Sequence, residues 1–195
     1  MPNTTRRLIG LTGGIATGKT TVSNYLADKY SLPILDADLY AREAVAPGSA
    51  ILQAIRLRYG DQVVFIDGQL DRSALGEIIF NNSQEKQWLE GQIHPFVRDR
   101  FRQDLELTQG NIVVLSIPLL FESNLTNLVT EIWVVSCDRS LQISRLKQRN
   151  GLTSRQAKVR IDSQLPLSQK VALADIVLVN DAGLEQLYSQ VDLAS

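Results

Sequence analysis

Short apolar runs recur along the chain and alternate with longer segments of helical periodicity. The runs lie at Leu8–Leu11, Pro33–Leu35, Ile112–Ile117, Ile132–Val135 and Ile176–Val179. Runs of this length, separated by helical segments, are typical of buried strands in a parallel sheet that helices cover on both faces. The pattern therefore predicts an α/β fold, a three-layer sandwich around a five-stranded parallel sheet.

A long stretch, residues 38–110, separates the second run from the third and has no strand pattern. It contains four helical patterns, at Ala50–Tyr59, Arg72–Asn81, Gln84–Ile93 and His94–Leu107. Ser83 suits the N-cap of the third helix, and Pro95 suits the first turn of the fourth. We expect a helical insertion over one end of the sheet.

A second stretch, residues 140–165, is rich in Arg, Lys and Gln and has few large apolar residues. A helical segment with so few apolar anchors is expected to be a mobile flap. The sheet core would then consist of residues 1–37, 111–139 and 166–195. We expect all these parts to form one unit, residues 1–195.

Residues 13–20 match the phosphate-loop pattern G-x-x-x-x-G-K-[ST] between the first apolar run and a helical segment. Such a loop wraps backbone N–H groups around a polyphosphate; its Lys meets the β- and γ-phosphates and its hydroxyl ligates Mg²⁺. A glycine-rich turn with an incidental Lys is the alternative. The residues expected to hold the nucleotide are Gly13, Gly14, Ile15, Ala16, Thr17, Gly18, Lys19, Thr20 and Thr21, with Thr20 as the metal ligand.

Two carboxylates, Asp36 and Asp38, follow the second strand. They would point the same way if the strand continued, because strand side chains alternate. One of them could deprotonate an attacking hydroxyl or hold a metal-bound water, and the alternative is an N-cap for a helix that starts near Leu39. The third strand ends at Pro118 without the usual Walker-B Asp, so the second strand is expected to supply the carboxylate.

Polar groups elsewhere also suggest ligand contacts. Arg145 and Arg149 are four residues apart, and this spacing places both guanidinium groups on one helical face, where they could clamp phosphoryl oxygens or form a solvated surface. His94, the only histidine, is either structural or catalytic. The turn Asn180–Gly183 follows the last strand and could hold an adenine edge, or have no function.

Composition narrows the class of protein. The chain has 195 residues and a formal net charge of −1, which does not favour general attraction to nucleic acid or acidic lipid. One cysteine, Cys137, cannot form an internal disulfide, and we expect a buried, inert thiol. No apolar stretch is long enough to span a bilayer. We expect a cytoplasmic protein with no obligate protein partner.

Taken together, the chain resembles the dephospho-coenzyme A kinase family, which has a P-loop kinase-like fold. The resemblance is carried by Leu11-Thr12-Gly13-Gly14-Ile15, Gly18-Lys19-Thr20-Thr21-Val22, Asp36-Ala37-Asp38, Leu70-Asp71-Arg72, Ile93-His94-Pro95, Pro118-Leu119-Leu120-Phe121-Glu122, Gln142–Arg149, Gln164 and Asn180–Gly183. Two departures are visible. Ala16-Thr17 stands where the family usually has Gly-Ser, and Thr20 replaces the commoner Ser.

The resemblance implies transfer of the γ-phosphoryl group of ATP, with Mg²⁺, to the 3′-hydroxyl of dephospho-coenzyme A. It implies that Asp38 is the base, that residues 38–110 are the acceptor-binding insertion and that residues 140–165 are the lid. The catalytic residues expected are Asp38, Lys19, Arg145 and Arg149. Asn180 and Gly183 are expected to join the nucleotide contacts. The expected acceptor contacts are Asp36, Arg72, His94, Arg98, Pro118 and Leu119, with Leu75, Phe80 and Phe96 nearby as apolar surface.

Two other functions share part of this pattern. Another P-loop kinase, acting on a nucleotide, shikimate or a sugar acid, would have the same loop and lid, and only acceptor contacts in the insertion distinguish it. A regulatory P-loop ATPase would share the loop alone. The missing Walker-B Asp and the paired lid arginines argue against the ATPase.

Overall fold

The computed structural model describes residues 6–80 and 82–195, and within them five strands form one sheet. The strands are β1 (Arg7–Gly13), β2 (Ile34–Asp36), β3 (Ile112–Ser116), β4 (Glu131–Ser136) and β5 (Ile176–Val179). Their order is β2-β3-β1-β4-β5, and every neighbouring pair is parallel. The predicted five-stranded parallel sheet is confirmed.

Nine α-helices lie in the described residues. They are α1 (Lys19–Tyr30), α2 (Ala37–Ala44), α3 (Ala50–Tyr59), α4 (Arg72–Phe80), α5 (Ser83–Leu107), α6 (Arg139–Asn150), α7 (Ser154–Asp162), α8 (Leu167–Ala172) and α9 (Leu184–Ala194). Short 3₁₀ turns occur at Asp61–Val63 and Thr126–Leu128. In these same residues no helix is long and apolar enough to cross a membrane.

The chain divides into two compact units. Among the described residues, the core unit contains residues 6–36 and 108–195, and the insertion unit contains residues 37–80 and 82–107. The sheet, α1 and α6–α9 belong to the core unit, whereas α2–α5 form the insertion unit.

The sheet of the core unit is buried on both faces, as its continuous apolar strands require. On one face, alternate strand residues pack against α1 and α9, in a cluster of Ile9, Leu11, Val22, Leu26, Val114, Trp133, Val135, Leu178, Leu187 and Val191. The other face is also closed, since Val113, Leu115 and Val134 are fully buried. At Gly10, an added Cβ would lie 3.0 Å from the side chain of Val129, so the covering loop packs directly on β1.

The insertion unit has its own apolar core, formed by Val45, Ile55, Val63, Leu75 and Leu89. Helix α2 packs against α5. At that contact the ring of Tyr40 meets Phe101 edge-on, with the centroids 5.0 Å apart, and the Tyr40 hydroxyl donates to Asp104 at 2.5 Å. Leu75 is thus a core residue, so its expected place on an acceptor surface was wrong, whereas Phe80 is exposed.

Helix α5 corrects two sequence predictions. Its residues were expected to form two helices with Pro95 near the start of the second, but the helix is continuous and Pro95 lies inside it. Burial of Leu89, Val97 and Phe101 on one face holds the helix together across the hydrogen bond that a proline cannot make. The N-cap is Asn82, not Ser83, because its side-chain oxygen accepts from the N–H groups of residues 84 and 85. The predicted end of α4 at Asn81 lies outside the described residues.

Candidate active site

The loop between β1 and α1 emerges at the centre of the sheet, where β1 lies between β3 and β4. Crevices at the carboxyl ends of parallel strands form at such points, where successive connections leave in opposite directions. The loop is packed too tightly for side chains at its glycines. A Cβ on Gly13 would lie 2.5 Å from the carbonyl oxygen of Val135, and one on Gly18 would collide with the amide of Asn180.

The start of α1 suits a polyphosphate. Gly18 has φ 110°, a conformation that favours glycine, and no side chain caps the helix. The first N–H groups of a helix have no partner within it and attract anions. Thr20, in the first helical turn, is exposed and can offer its hydroxyl. Mg²⁺ usually takes few protein ligands beside waters and phosphate oxygens, so one such hydroxyl fits an ATP-bound ion.

Two glutamines bind the backbone of Ile15, in the middle of the phosphate loop. Gln142 donates from Nε2 to the carbonyl oxygen of Ile15 at 2.8 Å, and Gln164 accepts from the Ile15 N–H at 2.9 Å. We call this pair the glutamine clamp. The next residue, Ala16, has φ 62°, a left-handed conformation that costs a non-glycine residue about 1 kcal/mol. The clamp therefore fixes the peptide groups beside a strained residue.

Arg145 also contacts the loop. Its guanidinium group donates to the carbonyl oxygen of Asn180 at 2.9 Å and approaches the carbonyl oxygens of Ala16 and Thr17 at 3.4 Å each. Asn180 in turn donates its side-chain amide to Thr17 at 2.7 Å. Arg149 lies one turn further along α6, is exposed, and donates to Asn150 at 3.1 Å. The two predicted lid arginines therefore have different surroundings.

A short chain of hydrogen bonds joins Lys19 to Asp36. Lys19 Nζ donates to Ser116 Oγ at 2.5 Å, and Ser116 Oγ donates to Asp36 Oδ2 at 3.1 Å. Ser116 is buried at the end of β3, directly opposite Asp36 on β2. The second strand thus supplies a carboxylate beside the loop lysine. Sequence reasoning missed Ser116, although it stands at the end of the strand that lacks the Walker-B Asp.

Asp36 and Asp38 do not share a strand face, because the strand does not continue to Asp38. β2 ends at Asp36 and α2 begins at Ala37, so the alternation of a strand stops before Asp38. Asp38 is exposed in the first turn of α2, where a negative charge favours the helix, and it belongs to the insertion unit. The helix also begins earlier than the expected position near Leu39.

The other predicted site residues are distributed over both units. Arg72 is exposed at the start of α4, and His94 and Arg98 are one turn apart on α5, all in the insertion unit. In the core unit, the carbonyl oxygen of Pro118 accepts from Thr12 Oγ1 at 3.1 Å. Leu119 has an exposed side chain, and Gly183 precedes α9 with φ 122°. Their ligand contacts stay predictions.

Cys137 is buried, as expected. Burial raises the pKa of its thiol, and the nearby Arg145 guanidinium opposes this only in part. A thiol with a raised pKa is a poor nucleophile at neutral pH. The residue is therefore part of the packing after β4.

One charged residue of the core received no role from the sequence. Lys170 on α8 is completely buried, and its ammonium group forms an ion pair with Glu122 at 2.8 Å. It also donates to the carbonyl oxygens of Gly13 and Pro118. No local sequence pattern distinguishes Lys170 from an exposed lysine, since the residues around it are typical of a polar helix.

The loop, its lysine, the adjacent carboxylate and the strand order together define a P-loop phosphotransferase of the small-molecule kinase type. The chain belongs to the dephospho-CoA kinase family, whose model matches residues 7–186. It is therefore a kinase, and its phosphoryl donor is ATP.

Individual relatives agree with this assignment. A dephospho-CoA kinase of Synechocystis is 62% identical, covering 95% of this chain and 93% of its own length. One of Trichormus variabilis is 59% identical, covering 97% of each chain. Among solved structures, a dephospho-CoA kinase from Campylobacter jejuni matches with a TM-score of 0.72 and 27% identity, covering 96% of this chain and 94% of that one.

Proposed function

We propose that the protein transfers the γ-phosphoryl group of ATP to the 3′-hydroxyl of dephospho-coenzyme A. The observation that carries the proposal is the phosphate loop with Lys19 joined through Ser116 to Asp36, in a chain that matches this family over nearly its whole length. A kinase needs a polyphosphate cradle, a cation at the transferring group and a carboxylate near the acceptor. The chain offers a candidate residue or segment for each of these.

The donor side of the reaction uses the loop. N–H groups at the start of α1 donate hydrogen bonds to phosphate oxygens. Lys19 gives up its hydrogen bond to Ser116 and binds the β- and γ-phosphates instead. Thr20 would hold Mg²⁺, which supplies neutralisation of the charge on the phosphates. Arg145 and Arg149 are proposed to stabilise charge that develops on the transferring group, as guanidinium groups do in this chemistry.

The acceptor side requires a base and a binding surface. We assign the base to Asp38, which would take the proton of the 3′-hydroxyl as the new O–P bond forms and the bond to ADP breaks. Asp36 would orient Lys19 through Ser116 and support a metal-bound water. The insertion unit offers the cations Arg72 and Arg98, with His94, for the acidic groups of the acceptor.

The need for ATP also bears on the partners of the protein and on its compartment. ATP and the acceptor are the only partners that the mechanism requires, and neither a nucleic acid nor a second protein takes part. The compartment we propose is the cytoplasm, where ATP is available.

A comparison of acceptors tests the function. The protein is incubated with ATP, Mg²⁺ and one of dephospho-coenzyme A, AMP or shikimate, and ADP and the phosphorylated product are measured. We expect transfer to dephospho-coenzyme A only, and its loss in Lys19→Ala. Transfer to AMP or shikimate at a higher kcat/KM would overturn the proposal.

A further inference from the structure

Lys170 is a buried charge in contact with the phosphate loop. Its side chain has no solvent exposure, and its Nζ lies 2.8 Å from Glu122 Oε1, 3.2 Å from the carbonyl oxygen of Pro118 and 3.3 Å from that of Gly13. An ammonium group has three N–H donors, so three acceptors can satisfy it fully. The site is built for a charged amine.

Burying such a charge is expensive. Removing an ammonium group from water costs several kcal/mol, and a well-packed apolar side chain is often as stable or more stable in its place. Most buried positions of the core unit are in fact apolar. Stability alone therefore does not account for a lysine here, and its contacts suggest another role.

The two carbonyl groups lie where two adjacent strands, β1 and β3, separate: Gly13 is the last residue of β1, and Pro118 lies in the turn after β3. β1 and β3 are paired as far as Leu11 and Ser116, and the N–H of Ile117 still bonds to Leu11 at 2.9 Å. Beyond it, Gly13 enters the phosphate loop and Pro118 enters the turn after β3. Lys170 binds both segments immediately after the last backbone hydrogen bond between them.

Glu122 extends the bridge to a third segment. Its Oε1 also accepts from the N–H of Leu165 at 3.0 Å. The preceding residue, Gln164, is the member of the glutamine clamp that binds the Ile15 N–H. The ion pair therefore holds together the base of the phosphate loop, the turn after β3 and the segment that reaches the top of the loop.

We propose that Lys170 is a positioning residue for phosphoryl transfer, held in place by Glu122. It sets the position of Gly13, and thereby of the phosphate cradle, relative to the end of β3 that carries Ser116. The role rests on the proposed kinase function, but it concerns the donor site and does not depend on which acceptor is used.

The test separates positioning from stability with Lys170→Met, Glu122→Gln and the double variant. Glu122→Gln leaves the buried Lys170 ammonium group without its counter-charge, and Lys170→Met leaves the partly exposed Glu122 carboxylate without its partner. Both single changes should lower Tm, whereas the double change removes both charges and should recover part of the loss. Nucleotide affinity should not recover with it. We expect the double variant to bind a fluorescent ATP analogue more weakly on the order of tenfold, the scale of a lost charged hydrogen bond.

The matched control is Lys29→Met, which breaks an exposed ion pair with Asp192 in the same unit. It should leave nucleotide affinity unchanged, because Lys29 lies in the last turn of α1, at the opposite end of the helix from the phosphate loop. Any loss of Tm in this variant comes from the hydrogen bonds of Lys29 to Asp192 and Tyr25. If Lys170→Met fails to fold, the same measurements are made on Glu122→Gln and on the double variant. Glu122 lies at the partly exposed end of the pair.

Two outcomes separate the proposals. A double variant with recovered Tm and unchanged nucleotide affinity would overturn the positioning role. Failure of the wild-type protein to phosphorylate dephospho-coenzyme A would overturn the proposed function, and it would leave the nucleotide-binding comparison intact.

Discussion

At the scale of single residues, Lys19 is the group on which transfer depends most. We predict that Lys19→Ala lowers kcat on the order of 10²-fold or more, the effect of removing a preorganised charge from a transition state. The same change removes the hydrogen bond to Ser116, so a small loss of Tm is expected as well. Steady-state kinetics with ATP and the acceptor check the first effect. Turnover within a few-fold of wild type would exclude Lys19 from the reaction.

The two aspartates should differ. We predict that Asp38→Asn abolishes single-turnover transfer and keeps ATP affinity, because the proposed base makes no contribution to donor binding. Asp36→Asn should weaken ATP binding and lower kcat together, since Asp36 reaches Lys19 through Ser116. Nucleotide titration and rapid-quench measurements on both variants decide the assignment. Weak ATP binding in Asp38→Asn with chemistry retained would reverse it.

Glu85 gives a prediction about pH. Hydrogen bonds from Arg58 and Tyr59 lower the pKa of Glu85 from 4.5 to about 2. The unfolded chain therefore binds this proton at a higher pH than the native chain does, and the stabilisation is lost as pH falls from about 4.5 to 2. Tm should fall less steeply over this range in Glu85→Gln. Glu77→Gln, at an exposed position on α4, is the control, and equal slopes in all three proteins would contradict the assignment.

At the scale of elements, the proposed lid, residues 140–165, contacts the phosphate loop near both of its ends. Gln142 and Arg145 on α6 bind the loop directly, and Gln164, which follows α7, binds the N–H of Ile15. We predict that ATP slows hydrogen exchange in residues 140–164, with the larger change in α7. Exchange is measured by mass spectrometry with and without ATP. No change in either helix would contradict a lid.

The strands were predictable because each is a short apolar run, a local signal that parallel sheets produce on both faces. The phosphate loop was predictable for the same reason, since its chemistry lies within eight consecutive residues. Ser116 and Lys170 were not, because their roles arise from strand register and from contacts over 97 and 157 residues of chain. Pro95 misled the prediction of α5, where tertiary packing outweighed a local helix-start signal.

At the scale of the whole molecule, we propose that the two substrates bind to different units. The phosphate loop belongs to the core unit, and the candidate acceptor residues Arg72, His94 and Arg98 belong to the insertion unit. If the insertion binds the acceptor, Arg72→Ala and His94→Ala should raise the KM for dephospho-coenzyme A and leave the KM for ATP almost unchanged, as expected for lost binding to one substrate. Arg102→Ala, an exposed arginine of α5 paired with Asp99, is the control.

The alternative is a structural role for both residues. His94 is half-buried on a long helix, so its truncation could loosen the packing of α5 and lower Tm. In that case the maximal rate would fall through loss of folded protein, with both KM values near wild type, and the effect would shrink on cooling. Measuring the two KM values together with Tm at several temperatures separates the outcomes. A rise in the acceptor KM alone, at unchanged Tm, is what an acceptor site in the insertion requires.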